Sequence, residues 1–393
     1  MGIDVIAMIQ QGVQGIPSAI GYDLIGKVCL SPVPTGERSE FIRLLRESDA
    51  DDDLSGYVAV LSERQSFPTS AVPTVSAASF AHLAENDIVL VNSRGYVRTV
   101  VRKDSPSNSL FATDRCNSLC LMCSQPPRET DDRGKAAELI RIVSLMDPNT
   151  KELGITGGEP TLLGDGLFEV IAACRDHLPS TALHVLSNGR RFWYPSYARK
   201  LAAISHPDLM IGIPVYSDID SLHDHIVQAK GAFDETIIGL QNLARYEVPV
   251  EIRIVIQSHT APRLRQLASY IYRNLTFASH VAFMGLEITG FAKANLSELW
   301  IDPEDYSTDL EAAVNLLSTS GLNVSVYNHQ LCRVPESLWP FCRQSISDWK
   351  NEFPPECGAC EVKSGCGGFF SWNLKYPKAC KIRPVSKPKL AAQ

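Results

Sequence analysis

The chain has 393 residues, 45% of them hydrophobic, which is typical of a folded protein with two or three domains. Its formal net charge of −7 argues against a nucleic acid partner, because proteins that bind phosphate backbones usually carry excess positive charge. The apolar runs are far shorter than a membrane span, and the N-terminus lacks the basic and apolar regions of a signal peptide. We therefore expect a cytoplasmic protein without a membrane partner.

Eleven cysteines are many for a cytoplasmic protein unless they bind metal. They concentrate in residues 116–123 and 332–380, and this clustering favours metal ligation over a network of disulfides. The outliers Cys29 and Cys174 are interpreted as ordinary small apolar side chains.

Residues 1–105 are predicted to form a small, separate β-rich domain. Residues 41–45 predict a short helix, and residues 56–61 predict a strand. Residues 88–91 and 96–101 flank an Asn-Ser-Arg-Gly sequence, which predicts a hairpin. The region contains no catalytic motif, so it is either a packing module or a substrate-recognition domain.

Beyond residue 106 the chain alternates between short apolar runs, typical of strands, and segments whose apolar residues recur at helical spacing. Repeated strand–helix units favour an α/β fold with a parallel sheet. Asp165 is expected to cap the second helix. The predicted strands are 109–113, 153–156, 183–187, 209–215, 251–256 and 281–286, and the predicted helices are 133–146, 166–177, 231–246 and 303–317.

Three cysteines, Cys116, Cys120 and Cys123, stand at C-x3-C-x2-C spacing after the first of these strands. Thiolates at such spacing suit an iron–sulfur cluster. A 4Fe-4S cube has four irons, so three ligands leave one iron open, and by analogy with zinc an open position is typical of a catalytic site. The alternatives are a zinc knuckle or spare buried thiols.

The sequence Gly157-Gly158-Glu159-Pro160 follows the next strand, and with the cysteine motif it resembles the radical S-adenosylmethionine (SAM) superfamily. The resemblance implies a partial (βα)6 barrel whose motifs lie at the C-terminal ends of the strands. It implies that the open iron binds the amino and carboxyl groups of SAM, and that one electron then cleaves SAM to a 5′-deoxyadenosyl radical. The four residues are expected to lie along the amino end of SAM, although a tight turn alone would also use these glycines.

Three further residues are candidates for SAM binding. Ser187 and Asn188 end the third strand, and the resemblance places them near the ribose or carboxylate of SAM; the alternative is an ordinary Asn-Gly turn. Arg253 lies inside a strand, on the face opposite Ile252 and Ile254. If that face is the barrel interior, Arg253 pairs with a carboxylate, and if not, it forms a salt bridge towards the helices.

His223 and His225 follow the fourth strand. A metal site made by this pair is disfavoured, because side chains two positions apart usually point in different directions. We interpret the segment as a polar loop at the top of the barrel.

A second cysteine group, Cys357, Cys360 and Cys366, has C-x2-C-x5-C spacing among several glycines. It resembles the auxiliary-cluster regions, of the SPASM and twitch type, of peptide-modifying radical SAM enzymes, which implies a second 4Fe-4S cluster held by four cysteines. Cys332 is the preferred fourth ligand because it follows a predicted strand at 324–327, with Cys380 and Cys342 as competitors. A zinc ribbon-like site is the alternative.

Residues 120–127, 328–332, 345–350 and 366–370 together resemble the C-type radical SAM maturase of the His-Xaa-Ser system. One departure is Ala379, where family members tend to have Ser. The resemblance implies a ribosomally made precursor peptide with His-Xaa-Ser repeats as substrate, a sister radical SAM maturase and a reductant protein as partners, and a modification that the sequence does not identify.

The predicted organisation has three parts: the N-terminal domain, a radical SAM barrel at 106–320 and an auxiliary-cluster region at 321–393. Two other functions remain open. One is radical SAM chemistry on RNA or a small metabolite, and the other is a non-catalytic iron–sulfur redox sensor.

Overall fold

The computed structural model describes residues 12–49, 53–64, 72–345 and 351–386. Within these ranges the strands form two eight-stranded sheets, one mixed and one parallel, in an α/β fold. No helix in the described part of the chain is long and apolar enough to cross a membrane.

The mixed sheet comes first in the chain and has the strand order β1-β8-β7-β3-β4-β5-β6-β2. The predicted hairpin at 88–101 is confirmed, since β7 and β8 pair antiparallel. The strands are β1 (Gly12–Gln14), β2 (Ile16–Ser18), β3 (Leu24–Cys29), β4 (Phe41–Leu45), β5 (Ala59–Ser62), β6 (Thr74–Ser76), β7 (Ile88–Val91) and β8 (Tyr96–Val101).

The predicted helix at 41–45 is wrong, because these residues form the central strand β4. It pairs in parallel with β3 on one side and with β5 on the other. Four successive residues, 42–45, are buried, as expected for a strand covered on both faces and not for one helical stripe. A five-residue apolar run is too short for periodicity to separate the two structures.

The parallel sheet carries its strands in chain order, from β9 at one edge to β16 at the other, and each strand pairs in parallel with the next. The two edges do not pair with each other, so the sheet is an open, partial barrel. The strands are β9 (Asn108–Phe111), β10 (Glu152–Thr156), β11 (Ala182–Leu186), β12 (Leu209–Pro214), β13 (Val250–Val255), β14 (His280–Met284), β15 (Val324–Tyr327) and β16 (Cys342–Arg343).

Helices connect these strands and cover one face of the sheet. On that face Ile252 and Ile254 of β13 are buried in one apolar core with helix residues such as Leu240 and Leu267. The helices are α1 (Lys135–Leu145), α2 (Asp165–His177), α3 (Pro195–Ala202), α4 (Asp220–Val227), α5 (Ala232–Arg245), α6 (Leu264–Asn274), α7 (Gly290–Ala294), α8 (Leu296–Leu299) and α9 (Pro303–Thr319).

The second helix begins one residue earlier than expected. Asp165 is its first residue, and Gly164, with φ of 63°, takes the cap position without a side-chain hydrogen bond. The Asp165 carboxylate therefore does not cap the helix, although a negative charge in the first turn still favours it.

The last part of the chain continues the parallel sheet through β15 and β16 and then turns irregular. After Arg343 the described residues form 3-10 turns and one isolated bridge between Glu352 and Phe369. Residues 346–350 of the family-like segment 345–350 lie outside the described residues. The division of the chain at 105 and 320 stays a prediction.

Candidate active site

The three cysteines of the first motif lie in the connection after β9, at the C-terminal edge of the parallel sheet. We call residues 116–123 the cysteine loop. Helix α4 holds one side of it: the N–H of Leu119 donates to the Val227 carbonyl at 3.1 Å, and the N–H of Leu121 donates to the Ile226 carbonyl at 2.9 Å. The end of a packed helix thus fixes the loop backbone.

Helices α7 and α8 hold the other side of the cysteine loop. The N–H of Phe291 donates to the Cys123 carbonyl at 2.8 Å, and the Asn295 amide donates to the Leu121 carbonyl at 2.9 Å. Gly290, with φ of 53°, allows this approach, since a Cβ there would lie 2.4 Å from the Cys123 carbonyl oxygen.

The glycines of the segment 157–160 pack against the chain that leads into the cysteine loop. The N–H of Gly158 donates to the Thr113 carbonyl at 2.7 Å, and the N–H of Glu159 donates to the Arg115 carbonyl at 2.8 Å. A Cβ on Gly158 would lie 2.1 Å from the Arg115 oxygen, and one on Gly157, whose φ is 141°, would lie 2.6 Å from the Thr113 oxygen. Both glycines are therefore required by the protein's own packing. A contact of these residues with SAM stays a prediction.

Glu159 is fully buried, and its carboxylate joins two strand ends. One oxygen accepts hydrogen bonds from the Thr161 N–H at 3.0 Å, the Thr161 hydroxyl at 2.7 Å and the Ser187 hydroxyl at 2.8 Å. The other oxygen accepts from the Asn188 N–H at 2.7 Å. The structure therefore brings the predicted residues Glu159, Ser187 and Asn188 together, with Glu159 as the link between the turns after β10 and β11.

The turn after β11 also reaches the cysteine loop, through Asn188 and Arg190. The Asn188 amide donates to the Asn117 side-chain oxygen, and the Arg190 guanidinium donates to the Asn117 carbonyl and to the Ser118 hydroxyl. Arg190 is held in turn by Glu235 of α5. Sequence reasoning missed Arg190 as a site residue, although its place directly after the Ser-Asn-Gly turn was a usable signal.

Tyr216, which follows β12, is buried and lies close enough to the three thiols of the cysteine loop for their charges to act on its hydroxyl. Burial raises the pKa of Tyr216 well above its usual range, and negative charge on Cys120, Cys123 and Cys116 would raise it further. Burial likewise raises the pKa of the Cys116 thiol to about 11, helped by the Glu159 charge. It also raises the pKa of Cys120 and Cys123. Such thiols stay protonated at neutral pH until a metal replaces their protons.

This donor set fits an iron–sulfur cluster. The three thiols belong to one loop at the strand ends, and Cys120 packs against an apolar cluster that includes Met122, Tyr216, Ile226 and Leu286. Soft thiolate ligands in a water-poor setting are what such clusters use.

The inner face of the sheet carries a polar cluster that the sequence showed only in part. Arg253 lies on that face, opposite Ile252 and Ile254, and its guanidinium donates to Glu251 of the same strand and to the Met284 sulfur at 3.1 Å. The prediction that Arg253 points into the barrel and pairs with a carboxylate matches this geometry.

Glu251 is the centre of the inner polar cluster. Its carboxylate contacts His280 Nδ1 at 2.6 Å and His184 Nε2 at 3.5 Å, and His280 Nε2 contacts the Ser325 hydroxyl at 3.0 Å. Burial raises the pKa of Glu251, but the His280 hydrogen bond and the Arg253 charge outweigh it and lower that pKa to about 2. Glu251 is therefore ionised inside the barrel. Glu251, His184 and His280 were not identified from the sequence, because the partners come from separate strands.

The second cysteine group lines a small cavity of about 20 Å³. Its four thiols are those of Cys332, Cys357, Cys360 and Cys366. We call it the cysteine cavity. Burial raises the pKa of Cys357, and the charges of Cys332, Cys366 and Cys360 would raise it further, so the four thiols are close enough to interact. The structure thus brings together the four cysteines that the sequence suggested as ligands.

The two competing ligands lie outside this set. Cys380 donates a hydrogen bond to the Asn373 carbonyl at 3.1 Å and does not line the cavity. Cys342 is buried in β16 near Cys366, and burial raises the pKa of its thiol to about 12. It does not line the cavity either.

His223 and His225 do point apart. His223 is buried, and its Nδ1 accepts a hydrogen bond from the Tyr216 N–H at 3.3 Å, whereas half of the His225 side chain is exposed. Burial lowers the pKa of His223 to about 4. These two residues do not form one metal site.

Part of the chain is similar to known proteins. Residues 110–268 match the family model of the radical SAM superfamily. A curated relative, the "Uncharacterized protein MJ0907" of Methanocaldococcus jannaschii, is 22% identical over 165 residues, which are 41% of this chain and 57% of the relative. The chain therefore spans little more than half of that relative's length.

Solved structures are also similar to part of the chain. SuiB of Streptococcus suis, bound to S-adenosylmethionine, has a TM-score of 0.46 and 16% identity, over 57% of this chain and 51% of that chain. A radical SAM methyltransferase from Sphaerobacter thermophilus has a TM-score of 0.44 and 12% identity, over 61% and 72%. Similarities at this level bear on neither substrate nor partners.

The matched segment contains the cysteine loop, the Gly-Gly-Glu-Pro turn, the Ser-Asn-Gly turn and strands β10 to β13 of the open parallel sheet. Its thiols converge at the edge of the sheet where barrel active sites are built. Residues 110–268, less than half of the chain, are therefore the part that is similar to the radical SAM superfamily.

Proposed function

We propose that the chain is a radical SAM enzyme that modifies a ribosomally made peptide after translation. Cys116, Cys120 and Cys123 would hold a 4Fe-4S cluster whose open iron binds SAM. When bound, this pair supplies a 5′-deoxyadenosyl radical that removes a hydrogen atom from the substrate. The observation that carries the proposal is the position of the three thiols in one loop at the C-terminal edge of the parallel sheet, joined by backbone hydrogen bonds to α4 and α7.

The chain's own residues would bind and orient SAM beside this loop. Gly157 and Gly158 are partly exposed beside the chain that leads into the cysteine loop, and Pro160 next to them is buried. Glu159 acts as a positioning residue, since its carboxylate is fully used by Thr161, Ser187 and Asn188. We keep these residues as the SAM-binding set.

Arg253 completes the proposed SAM site. Its guanidinium lies on the inner face of the sheet, and Val255 of the same face packs in the apolar cluster around the cysteine loop. A cation at this position can attract the SAM carboxylate while Glu251 holds it in place.

The first test is SAM cleavage. Protein purified without oxygen and reduced with dithionite should convert SAM to 5′-deoxyadenosine, and the Cys116, Cys120 and Cys123 triple alanine variant should form none. Cys174→Ala is the matched control, because Cys174 is buried in α2, away from the loop. Turnover by the triple variant would contradict the proposal. An intact cluster that never cleaves SAM, even with peptide and partner added, would favour the redox sensor.

The proposed substrate is a precursor peptide with His-Xaa-Ser repeats, processed together with a sister maturase and a reductant protein. Support comes from the family-like sequences, of which residues 120–127, 328–332 and 366–370 lie in the described structure. A contact in one of these segments is structural, since His329 is buried and accepts a hydrogen bond from the Tyr306 hydroxyl at 2.8 Å. The substrate therefore rests on the resemblance and not on these contacts.

Deuterium labelling tests the substrate. A peptide deuterated at its His and Ser carbons should transfer deuterium into 5′-deoxyadenosine, and a peptide of the same length with the His and Ser residues replaced should not. Transfer from neither peptide, with transfer from an RNA or a small metabolite instead, would replace the peptide proposal.

We further propose that Cys332, Cys357, Cys360 and Cys366 bind a second, auxiliary 4Fe-4S cluster. Four thiols on one cavity match the ligand set of a cluster with all its irons held, which would serve electron transfer or structure. A single zinc ion is the alternative that the same donor set allows.

Metal analysis separates these two. The anaerobic protein should contain roughly eight irons per chain, and Cys360→Ala should lower this to roughly four. Cys380→Ala is the matched control and should keep the full iron content, since Cys380 does not line the cavity. Roughly four irons per chain together with zinc that has sulfur ligands in zinc-edge X-ray absorption would show a zinc site instead.

A further inference from the structure

Three metal-binding side chains from separate parts of the chain meet beside the cysteine loop. His225 lies on α4, His259 lies in the turn after β13, and Glu298 lies on α8. One ligand atom from each lies within 4.8 Å of the other two, and among the described residues no other trio of His, Cys, Asp or Glu side chains has this spacing. We propose that these three residues bind one divalent transition-metal ion, separately from the proposed radical chemistry.

The distances suit a single ion. His259 Nε2 lies 3.0 Å from Glu298 Oε1, and His225 Nε2 lies 3.8 Å from the same oxygen. Ligand atoms about 2.1 Å from a zinc ion lie roughly 3.0 to 3.4 Å apart, so a small movement of His225 completes the site.

The donor set defines the class of metal. Two imidazole nitrogens and one carboxylate oxygen favour zinc or another late transition metal over magnesium or calcium, which prefer oxygen ligands. Three protein ligands leave at least one coordination position for water. About half of the His225 and Glu298 side chains is exposed, so an ion can enter from solvent.

The backbone around His259 is fixed before any ion binds. The His259 N–H donates to the side-chain oxygen of the fully buried Gln257 at 2.8 Å. The Ser258 N–H donates to the Leu299 carbonyl at 2.9 Å, and the Ser258 hydroxyl donates to the Glu298 carbonyl. The turn that carries His259 is thus bound directly to the helix that carries Glu298.

Without a metal only one of the two imidazoles is within hydrogen-bond distance of Glu298. His259 Nε2 lies 3.0 Å from the Glu298 oxygen and His225 Nε2 lies 3.8 Å from it, and an exposed His–Glu pair adds little stability. An ion takes all three side chains as ligands at once. This makes metal binding a better account of the trio than two surface ion pairs.

The position of the site gives it a structural consequence. Val227 and Ile226, next to His225, accept hydrogen bonds from the cysteine loop on one side, and Asn295, at the start of α8, donates to the loop on the other. An ion that joins His225 to Glu298 would therefore tie together the two elements that hold the cysteine loop.

Zinc is the probe for the test. The anaerobically purified, cluster-loaded protein receives zinc, bound zinc is measured by equilibrium dialysis, and zinc-edge X-ray absorption identifies its ligands. We expect one zinc per chain with nitrogen and oxygen ligands at about 2.0 to 2.2 Å and no sulfur at about 2.3 Å. His225→Ala and Glu298→Gln should each weaken zinc binding by roughly 100-fold or more, because even the loss of a ligand's hydrogen-bond partner costs roughly 10- to 100-fold.

The matched control is His177→Ala, which removes an exposed histidine at the end of α2 and should bind zinc as the wild type does. The proposal is overturned by sulfur in the zinc shell, by the absence of stoichiometric zinc, or by equal zinc affinity in all three variants. Glu298→Gln keeps the side-chain shape, so weak binding by that variant does not reflect loss of fold. None of these readouts depends on SAM cleavage.

Discussion

The cysteine loop at 116–123 and the cysteine cavity around residues 332–366 differ in what holds their thiols. The loop lies on the edge of an eight-stranded sheet, donates backbone hydrogen bonds to α4 and accepts one from α7. The cavity is built mainly from 3-10 turns, with one isolated strand bridge nearby. Helices and strands therefore hold the cysteine loop in place. The cysteine cavity has little regular structure besides its ligand residues to order it.

From this difference we infer which site, the cysteine loop or the cysteine cavity, would depend on a bound metal for its folding. A loop fixed by helices and strands keeps its shape when the metal is removed. A segment of short turns gains most of its order from the ligand bonds themselves, as in small metal-bound domains. We therefore expect the two sites to respond differently to chelation and to mutation, and four predictions follow that difference, starting with the largest effect.

Removal of all iron should unfold the cysteine cavity but not the barrel. We expect trypsin to cleave after Lys363 at least about tenfold faster in chelated protein, while cleavage after Arg115 and Arg128 beside the cysteine loop stays slow. Mass spectrometry of timed digests measures both rates. Cys380→Ala, outside the cavity, should digest like the wild type when iron is present. Equal acceleration at all sites would show that the loop also depends on metal.

Gly158→Ala should damage the prearranged site. A Cβ would lie 2.1 Å from the Arg115 carbonyl oxygen, so the backbone before the cysteine loop must move. We expect a loss of about 3 kcal/mol in the free energy of unfolding, together with loss of the first cluster, by urea unfolding and iron analysis. Gly134→Ala, where a Cβ meets no atom within 4 Å, should change stability by no more than about 0.5 kcal/mol. A normal cluster in Gly158→Ala would show that the loop tolerates displacement.

Glu159→Gln should weaken the hydrogen-bonded link between the turns after β10 and β11 without enlarging the side chain. Four donors surround the Glu159 carboxylate, but a glutamine amide has only one oxygen to accept from them. Its NH2 group would therefore face an N–H or hydroxyl donor without an acceptor between them. We expect a loss of about 2 kcal/mol in the free energy of unfolding and weaker SAM binding, measured by calorimetry. The exposed Glu169→Gln on α2 is the control and should behave as the wild type. Unchanged stability would show that the carboxylate is not needed for this packing.

Ser187→Ala should have the smallest effect, about 1 kcal/mol, because it removes one donor to Glu159 at 2.8 Å. Combined with Glu159→Gln in a double-mutant cycle, it should cost less than the sum of the two single changes, since both act on one hydrogen-bond network. Fully additive losses in urea unfolding would indicate that the two turns are stabilised separately.

Much of the fold was predictable because it depends on local patterns. Alternating apolar periodicities located strands such as β10 and β13 and helices such as α1 and α5 to within a few residues. The exception was β4, where five apolar residues suit either structure and the neighbouring strands decide the outcome.

The sequence by itself determined how the cysteines are grouped along the chain, since the spacings of Cys116, Cys120 and Cys123 and of Cys357, Cys360 and Cys366 are local. Only the tertiary structure decided how distant residues meet: Arg190 reaches Asn117 across 73 positions, and His225, His259 and Glu298 converge from three elements. The physical reason is that such contacts arise from the packing of strand ends and helices, and a sequence pattern carries no distance between separate elements.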